Sequence, residues 1–124
     1  MPTLLAAAGL AYPGERAGRP LQPLDGESLL PLLEGRDWQR QAPLYWEHEG
    51  NAAIRQGQWK LVRRHGGPWE LYDMEGDRTE LDDLAAGDRR RAEALEREYQ
   101  AWAERVGVLE WGRLQRALGS AWGF

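Results

Sequence analysis

The sequence predicts an α+β fold: a four-stranded antiparallel meander sheet packed against a long C-terminal helix, with short helices at the N-terminal end. Three observations carry it. Between residues 44 and 73, runs of alternating apolar and polar residues hold Trp46, Trp59 and Trp69, three of the seven tryptophans, with the period of half-buried strands. Between those runs lie Glu49-Gly50-Asn51, Gln56-Gly57-Gln58 and His65-Gly66-Gly67-Pro68, whose glycine and asparagine supply the backbone angles that short hairpin loops need. Beyond them, Ala92, Leu95, Tyr99, Trp102 and Val106 recur at steps of three and four, which places them on one face of a helix.

Each element follows from its residues. Alternation assigns Leu44, Trp46 and His48, with Trp59, Leu61, Trp69 and Leu71, to an aromatic face that the helix covers. Tyr45, Glu47, Arg55, Lys60, Val62, Glu70 and Tyr72 fall on a partly solvated face with room for weak cross-strand ion pairs. Asp88 is the expected N-cap of the long helix and Gly107 its stop. Residues 74–87 read as acidic turns with one brief helical turn at residues 82–84. In the tail, Trp111, Leu114, Leu118 and Trp122 stand at helical steps and are expected to dock on the same layer. Toward the N-terminus, residues 3–10 form a short helix. Residues 12–23, with three prolines, two glycines and two arginines, suit an irregular surface connection. A second short helix lies within residues 24–35: with Ser28 as its N-cap, Pro31 takes the third helical position, where its missing N–H loses no bond, and Gly35 ends it. Leu29, Leu30, Leu32 and Leu33 make that helix apolar nearly all round, so it requires burial on several sides, more than a chain this small supplies.

Composition bounds the function. A chain of 124 residues suffices for one domain, and a net charge of −4 with both signs interspersed gives no broad electropositive field for phosphate backbones, so no nucleic-acid partner is expected. Arg89-Arg90-Arg91 and Arg63-Arg64, the basic concentrations, read as solvated faces. With no cysteine there is no disulfide, thiol nucleophile or cysteinyl metal site. No apolar run reaches the length of a membrane helix and the start carries no signal peptide, so no membrane partner is expected; localisation is unknown, and as it stands the chain reads as cytoplasmic.

Four blocks, in order, carry a resemblance: Met1-Pro2-Thr3-Leu4-Leu5 with Gly9; Pro23-Leu24-Asp25-Gly26 with Ser28 through Leu33 and Gly35; Leu44-Tyr45-Trp46-Glu47-His48-Glu49-Gly50-Asn51 with Trp59-Lys60-Leu61-Val62; and Trp69-Glu70-Leu71-Tyr72-Asp73 with Asp77, Glu80, Asp83 and Leu84. Together with Trp102-Ala103-Glu104-Arg105 they span almost the whole chain, which resembles the C-terminal region of bacterial arylsulfatase-type enzymes of the alkaline-phosphatase-like superfamily. The resemblance implies that residues 1–40 join a catalytic domain and that residues 41–124 form a small C-terminal subdomain. It also implies hydrolysis of sulfate esters, with calcium and a formylglycine made from cysteine or serine in the full-length family. Neither Ser28 nor Ser120 lies in a Cys/Ser-x-Pro/Ala-x-Arg motif, and the resemblance implies that the family's calcium ligands lie upstream of Met1, so no catalytic residue and no metal ligand of the family is carried onto a position here. Met1 accordingly reads as an internal methionine of a longer coding sequence.

The candidate substrate-framing residues are His48, Glu49 and Asn51, at a strand end beside a glycine turn, where a histidine can donate to an anion or a sugar hydroxyl. The plain alternative is a turn-stabilising histidine between solvated glutamates. His48 and His65, with Glu47, Glu49, Asp73 and Glu75, fit no compact metal motif. The chain is therefore expected to be a structural, substrate-framing sulfatase subdomain, inactive alone, whose partner is a sulfatase catalytic domain, missing or separately encoded, with self-association possible. The alternatives are a free-standing protein-interaction module or one half of a split sulfatase.

Overall fold

In the computed structural model, which describes residues 1–122, with side chains as far as Gly119, the chain divides into two compact units, Met1–Ala42 and Pro43–Phe124.

The first unit begins with helix α1 (Pro2–Ala7), which the left-handed Gly9 follows. Where an irregular connection was expected, residues 12–23 instead hold a small hairpin, β1 (Glu15–Arg16) paired with β2 (Arg19–Pro20). Its loop residues Ala17 and Gly18 both have positive φ, 52° and 73°, the requirement of a tight turn whose twist matches antiparallel strands. Helix α2 (Leu30–Leu33) is a single turn. Ser28 Oγ accepts from the Leu30 N–H at 3.2 Å, but Leu29 is the boundary residue, so Pro31 sits at the second helical position, one earlier than expected and equally harmless. Thr3 Oγ1 ties the two helices by accepting from the Leu29 N–H at 3.1 Å.

The second unit carries the meander: β3 (Leu44–His48), β4 (Asn51–Gln56), β5 (Trp59–Arg63) and β6 (Trp69–Asp73), in sheet order β3-β4-β5-β6. Helix α3 (Arg89–Val106) covers one face. Asp88 caps it as expected, its side chain accepting from the Arg91 N–H, and Gly107 at φ 74° ends it while the Val108 N–H reaches back to the Ala103 carbonyl. The core is Ala52, Ile54, Leu61 and Leu71 from the sheet against Leu95, Tyr99 and Ala103 from α3. Val106, expected in that stripe, is 43% exposed, and Ala103, four residues on from Tyr99, packs in the core in its place.

Register corrects one assignment. Tyr45 pairs with Ile54, which pairs with Leu61, which pairs with Leu71, so Tyr45 and Glu47 share the helix-covered face. Trp46, paired with Ala53, faces the other way together with Leu44 and His48, and remains 47% exposed. Alternation fixes faces within a strand, but the loop length fixes them between strands. The first loop is the two residues Glu49 and Gly50, both at positive φ, and not three, and a one-residue slip exchanges the faces. Tyr45 uses its position to stack on Trp102 at 4.8 Å, and Trp69 meets Tyr99 edge-on at 5.4 Å, pairs that add about 0.5–1.5 kcal/mol each beyond area burial.

Residues 82–84 form no helical turn, contrary to expectation. Backbone N–H groups there are taken up by carboxylates: Asp77 Oδ2 accepts from Leu81 and Asp82, and Asp83 Oδ1 accepts from Leu71 and Ala85. Such side-chain bonds offer the backbone an alternative to helix. Glu80, on the same segment, pairs with Lys60 at 2.5 Å. Tyr72, on the face opposite α3, is buried, and its hydroxyl donates to Glu70 Oε2 at 3.0 Å. Burial first, then this bond and the nearby carboxylates, push its pKa from 10.0 up to about 12. The neutral form is thus the one the fold favours, so the stability it contributes is whole below pH 10 and disappears as pH rises toward 12. Urea midpoints of the wild type between pH 9 and pH 12 should fall in that window, and those of Tyr72→Phe should fall less; parallel curves would count against it.

Helix α4 (Trp111–Trp122) follows. It does not join the sheet layer as expected: among the described residues, Val108 packs on the core but nothing from α4 does, and Leu118 is 45% exposed. The side chain of Trp122 lies outside the described residues. Among those described, no helix is long and apolar enough to cross a membrane.

Candidate functional site

At the β3-β4 turn the structure assembles a cleft of about 500 Å³. Glu47 and Arg63 reach it from the helix-covered sheet face, His65 and Gly66 from the β5-β6 loop, Tyr99 and Glu104 from α3, and Glu110 and Trp111 from the start of α4. Local chemistry fixes each wall. Glu47 Oε1 accepts from the Gly50 N–H at 2.9 Å and so closes the turn. Glu110 caps α4 by accepting from Gly112 and Arg113, and those backbone N–H groups, with Arg116 and His65 nearby, hold its carboxyl below the usual range. Burial, with Glu47 close by, pushes the Tyr99 hydroxyl up. Arg63 lies 4.7 Å over the Trp69 ring, while its Nε and the Trp69 Nε1 are buried without a hydrogen-bond partner among the described residues.

None of the sequence-predicted residues lines this cleft. His48 is exposed on the opposite sheet face, and Glu49 is an exposed turn residue at φ 52°. Asn51 pairs with His48 across the hairpin, and its side chain is fully engaged: Nδ2 donates to the His48 carbonyl at 2.8 Å and Oδ1 accepts from the His65 N–H at 3.1 Å. It ties the two loops together and thereby positions His48. The structure thus brings together Glu47, Asn51 and His65 as a brace, with His48 displayed beside it. From sequence, Arg63 was read as part of a solvated basic face and Trp111 as a residue docking on the sheet layer, while Glu110 was not singled out; the alternation that pairs Arg63 with Trp69 on one face was the available signal.

Chemically, three carboxylates, Glu47, Glu104 and Glu110, face one guanidinium, so the cleft does not attract an anionic ester. The chain's donor set also does not fit the family's cofactors. There is no cysteine, and among the described residues no three histidine or acidic side chains converge as metal ligands. A second hollow of about 540 Å³ lies at the other end of α3, where Arg91 sits 4.0 Å over the Trp59 ring.

No protein-family model matches the chain. Over 94 residues it is 35% identical to the choline-sulfatase of Rhizobium meliloti (strain 1021), covering 71% of this chain and 17% of that enzyme. Among solved structures, Ps i-CgsB, crystallised with k-i-k-neocarrahexaose, superposes with a TM-score of 0.65 at 27% identity over 82% of this chain and 22% of that one. BT4656, solved with its substrate D-glucosamine-2-N,6-O-disulfate, shares the fold at a TM-score of 0.56 and 24% identity, over 83% of this chain and 22% of its own. The chain thus spans about a fifth of the relatives it matches. In sequence and in fold it is the counterpart of the C-terminal part of sulfatases with the alkaline-phosphatase-like fold.

Proposed function

We propose that this chain serves as the substrate-framing C-terminal subdomain of a sulfuric ester hydrolase and is inactive alone. The observation that carries the reading is the 35% identity to choline-sulfatase confined to 17% of that enzyme's length. The nucleophile motif and an acidic calcium site are then the business of a catalytic domain to which residues 1–40 connect, and the sheet-and-helix unit contributes the loops that border its entrance. Within that unit His48 is the side chain offered to substrate, since its carbonyl is gripped by Asn51 while its exposed ring lies at the end of β3. A histidine so placed donates to a substrate oxygen and takes no part in bond breaking.

The test is release of sulfate from an aryl sulfate in the presence of calcium. The chain alone is expected to give none; turnover by the purified chain would end the reading. Activity that emerges only on mixing with a separately encoded N-terminal half would identify a split sulfatase. In an enzyme containing this chain and its catalytic domain, His48→Ala should raise KM several-fold with kcat little changed, the signature of lost uniform binding. Unchanged KM across a panel of sulfate esters would leave His48 as a turn residue.

A further inference from the structure

The first unit, Met1–Ala42, has no core of its own. It contains nine leucines, yet not one of its residues is buried. Its two helices are six and four residues long, far below the length at which a helix sustains itself in water. Leu29, Leu32 and Leu33 stand at i, i+3 and i+4 and are 42%, 52% and 72% exposed; Leu4 and Leu10 are 70% and 63% exposed. That spacing is how a short amphipathic helix presents its anchors to a groove. Sheet, helix and polar loop exist in this unit, but the apolar partner that would hold them does not.

We propose that Leu29, Leu32 and Leu33, with Leu4 beside them on α1, form the surface through which this chain docks into an apolar groove of a sulfatase catalytic domain. The inference rests on the sulfatase reading above and goes further by assigning the interface to one stripe of side chains. What argues for this occupant is length: the matched relatives carry about four fifths of their chains outside the region this chain spans. The Ps i-CgsB match, at 82% of the chain, is longer than the second unit alone, so it includes part of Met1–Ala42. In such a relative, a counterpart of part of this unit is therefore joined to a much larger body of protein.

Hydrogen exchange on the full chain is the first measurement. Amides of residues 1–42 are expected to exchange about a hundredfold faster than those of β4, β5 and α3, as in any segment whose opening costs little. Equal protection in both units would overturn the proposal, since the first would then need no partner. The second uses Rhizobium meliloti choline-sulfatase carrying this chain in place of the segment it matches. There residues 1–42 should gain protection, and L29D/L33D should abolish the gain and lower choline-sulfate hydrolysis by about tenfold or more, while L29M/L33M retains both. An active chimera in which L29D/L33D changes neither protection nor rate would sink the docking stripe and leave the sulfatase reading standing. A chimera that neither folds nor hydrolyses, beside an active parent enzyme, would overturn the sulfatase reading and the docking stripe with it.

Discussion

Replacing Ile54 by alanine is expected to lower the stability of the sheet-and-helix unit by about 3 kcal/mol, within the 2–5 kcal/mol range of large-to-small core substitutions. Ile54 has no exposed surface and stands in the middle of the covered face, between Tyr45 on one neighbouring strand and Leu61 on the other. The loss combines the transfer of its side chain from water with the cavity left beneath α3, which a helix anchored by Leu95 and Tyr99 on either side cannot collapse to fill. In a unit of this size each kcal/mol shifts the melting point by roughly 4–8 °C, so a drop on the order of 15 °C should appear in a thermal scan. Urea unfolding should show a lower midpoint at unchanged slope. A loss below about 1 kcal/mol would mean that α3 does not pack on this face.

Gly50→Ala is the second large effect, about 2–3 kcal/mol, and its size separates two causes. Gly50 lies at φ 82°, and a Cβ there would come within 2.5 Å of His65 Nδ1 and 2.9 Å of both His65 Cγ and Trp111 Cβ. Gly57, at φ 58°, would meet nothing within 4 Å. Gly57→Ala should therefore cost only the left-handed backbone term, about 1 kcal/mol, and the difference between the two variants measures the crowding at the cleft. If both alanines cost the same in urea, the close approach of the β5-β6 loop and α4 to this turn is not there.

These two residues also show how much the sequence disclosed. The four strands, their antiparallel order, the helix from Asp88 to Gly107 and the glycine stops were legible because each depends on local chemistry: a period, a cap, a left-handed residue. What was not legible depends on register and on distant partners. Treating Asn51 as loop made the first turn one residue too long, and that single residue sent Trp46 to the core and Tyr45 to solvent in place of the reverse. The cleft was hidden for the same reason, since Glu47, Arg63 and Trp111 converge only once the faces and the exit from α3 are known. His48, Glu49 and Asn51 were recognisable as a turn, but nothing in the spacing says that Asn51 spends its amide holding His65.

The segment after β6 has a property that neither the sheet nor the helix shares. Its course is dictated by aspartate oxygens gripping the main chain, with Asp77 held below the ordinary carboxylate range chiefly by the N–H groups it accepts from. Protonating such a group removes what keeps that stretch in place, so its contribution survives mild acidification and fades only once pH drops through that depressed pKa. In strong acid the strap would come undone ahead of the aromatic layers beneath it, leaving a particle that still has its sandwich of rings but has lost the cord across its outer strand.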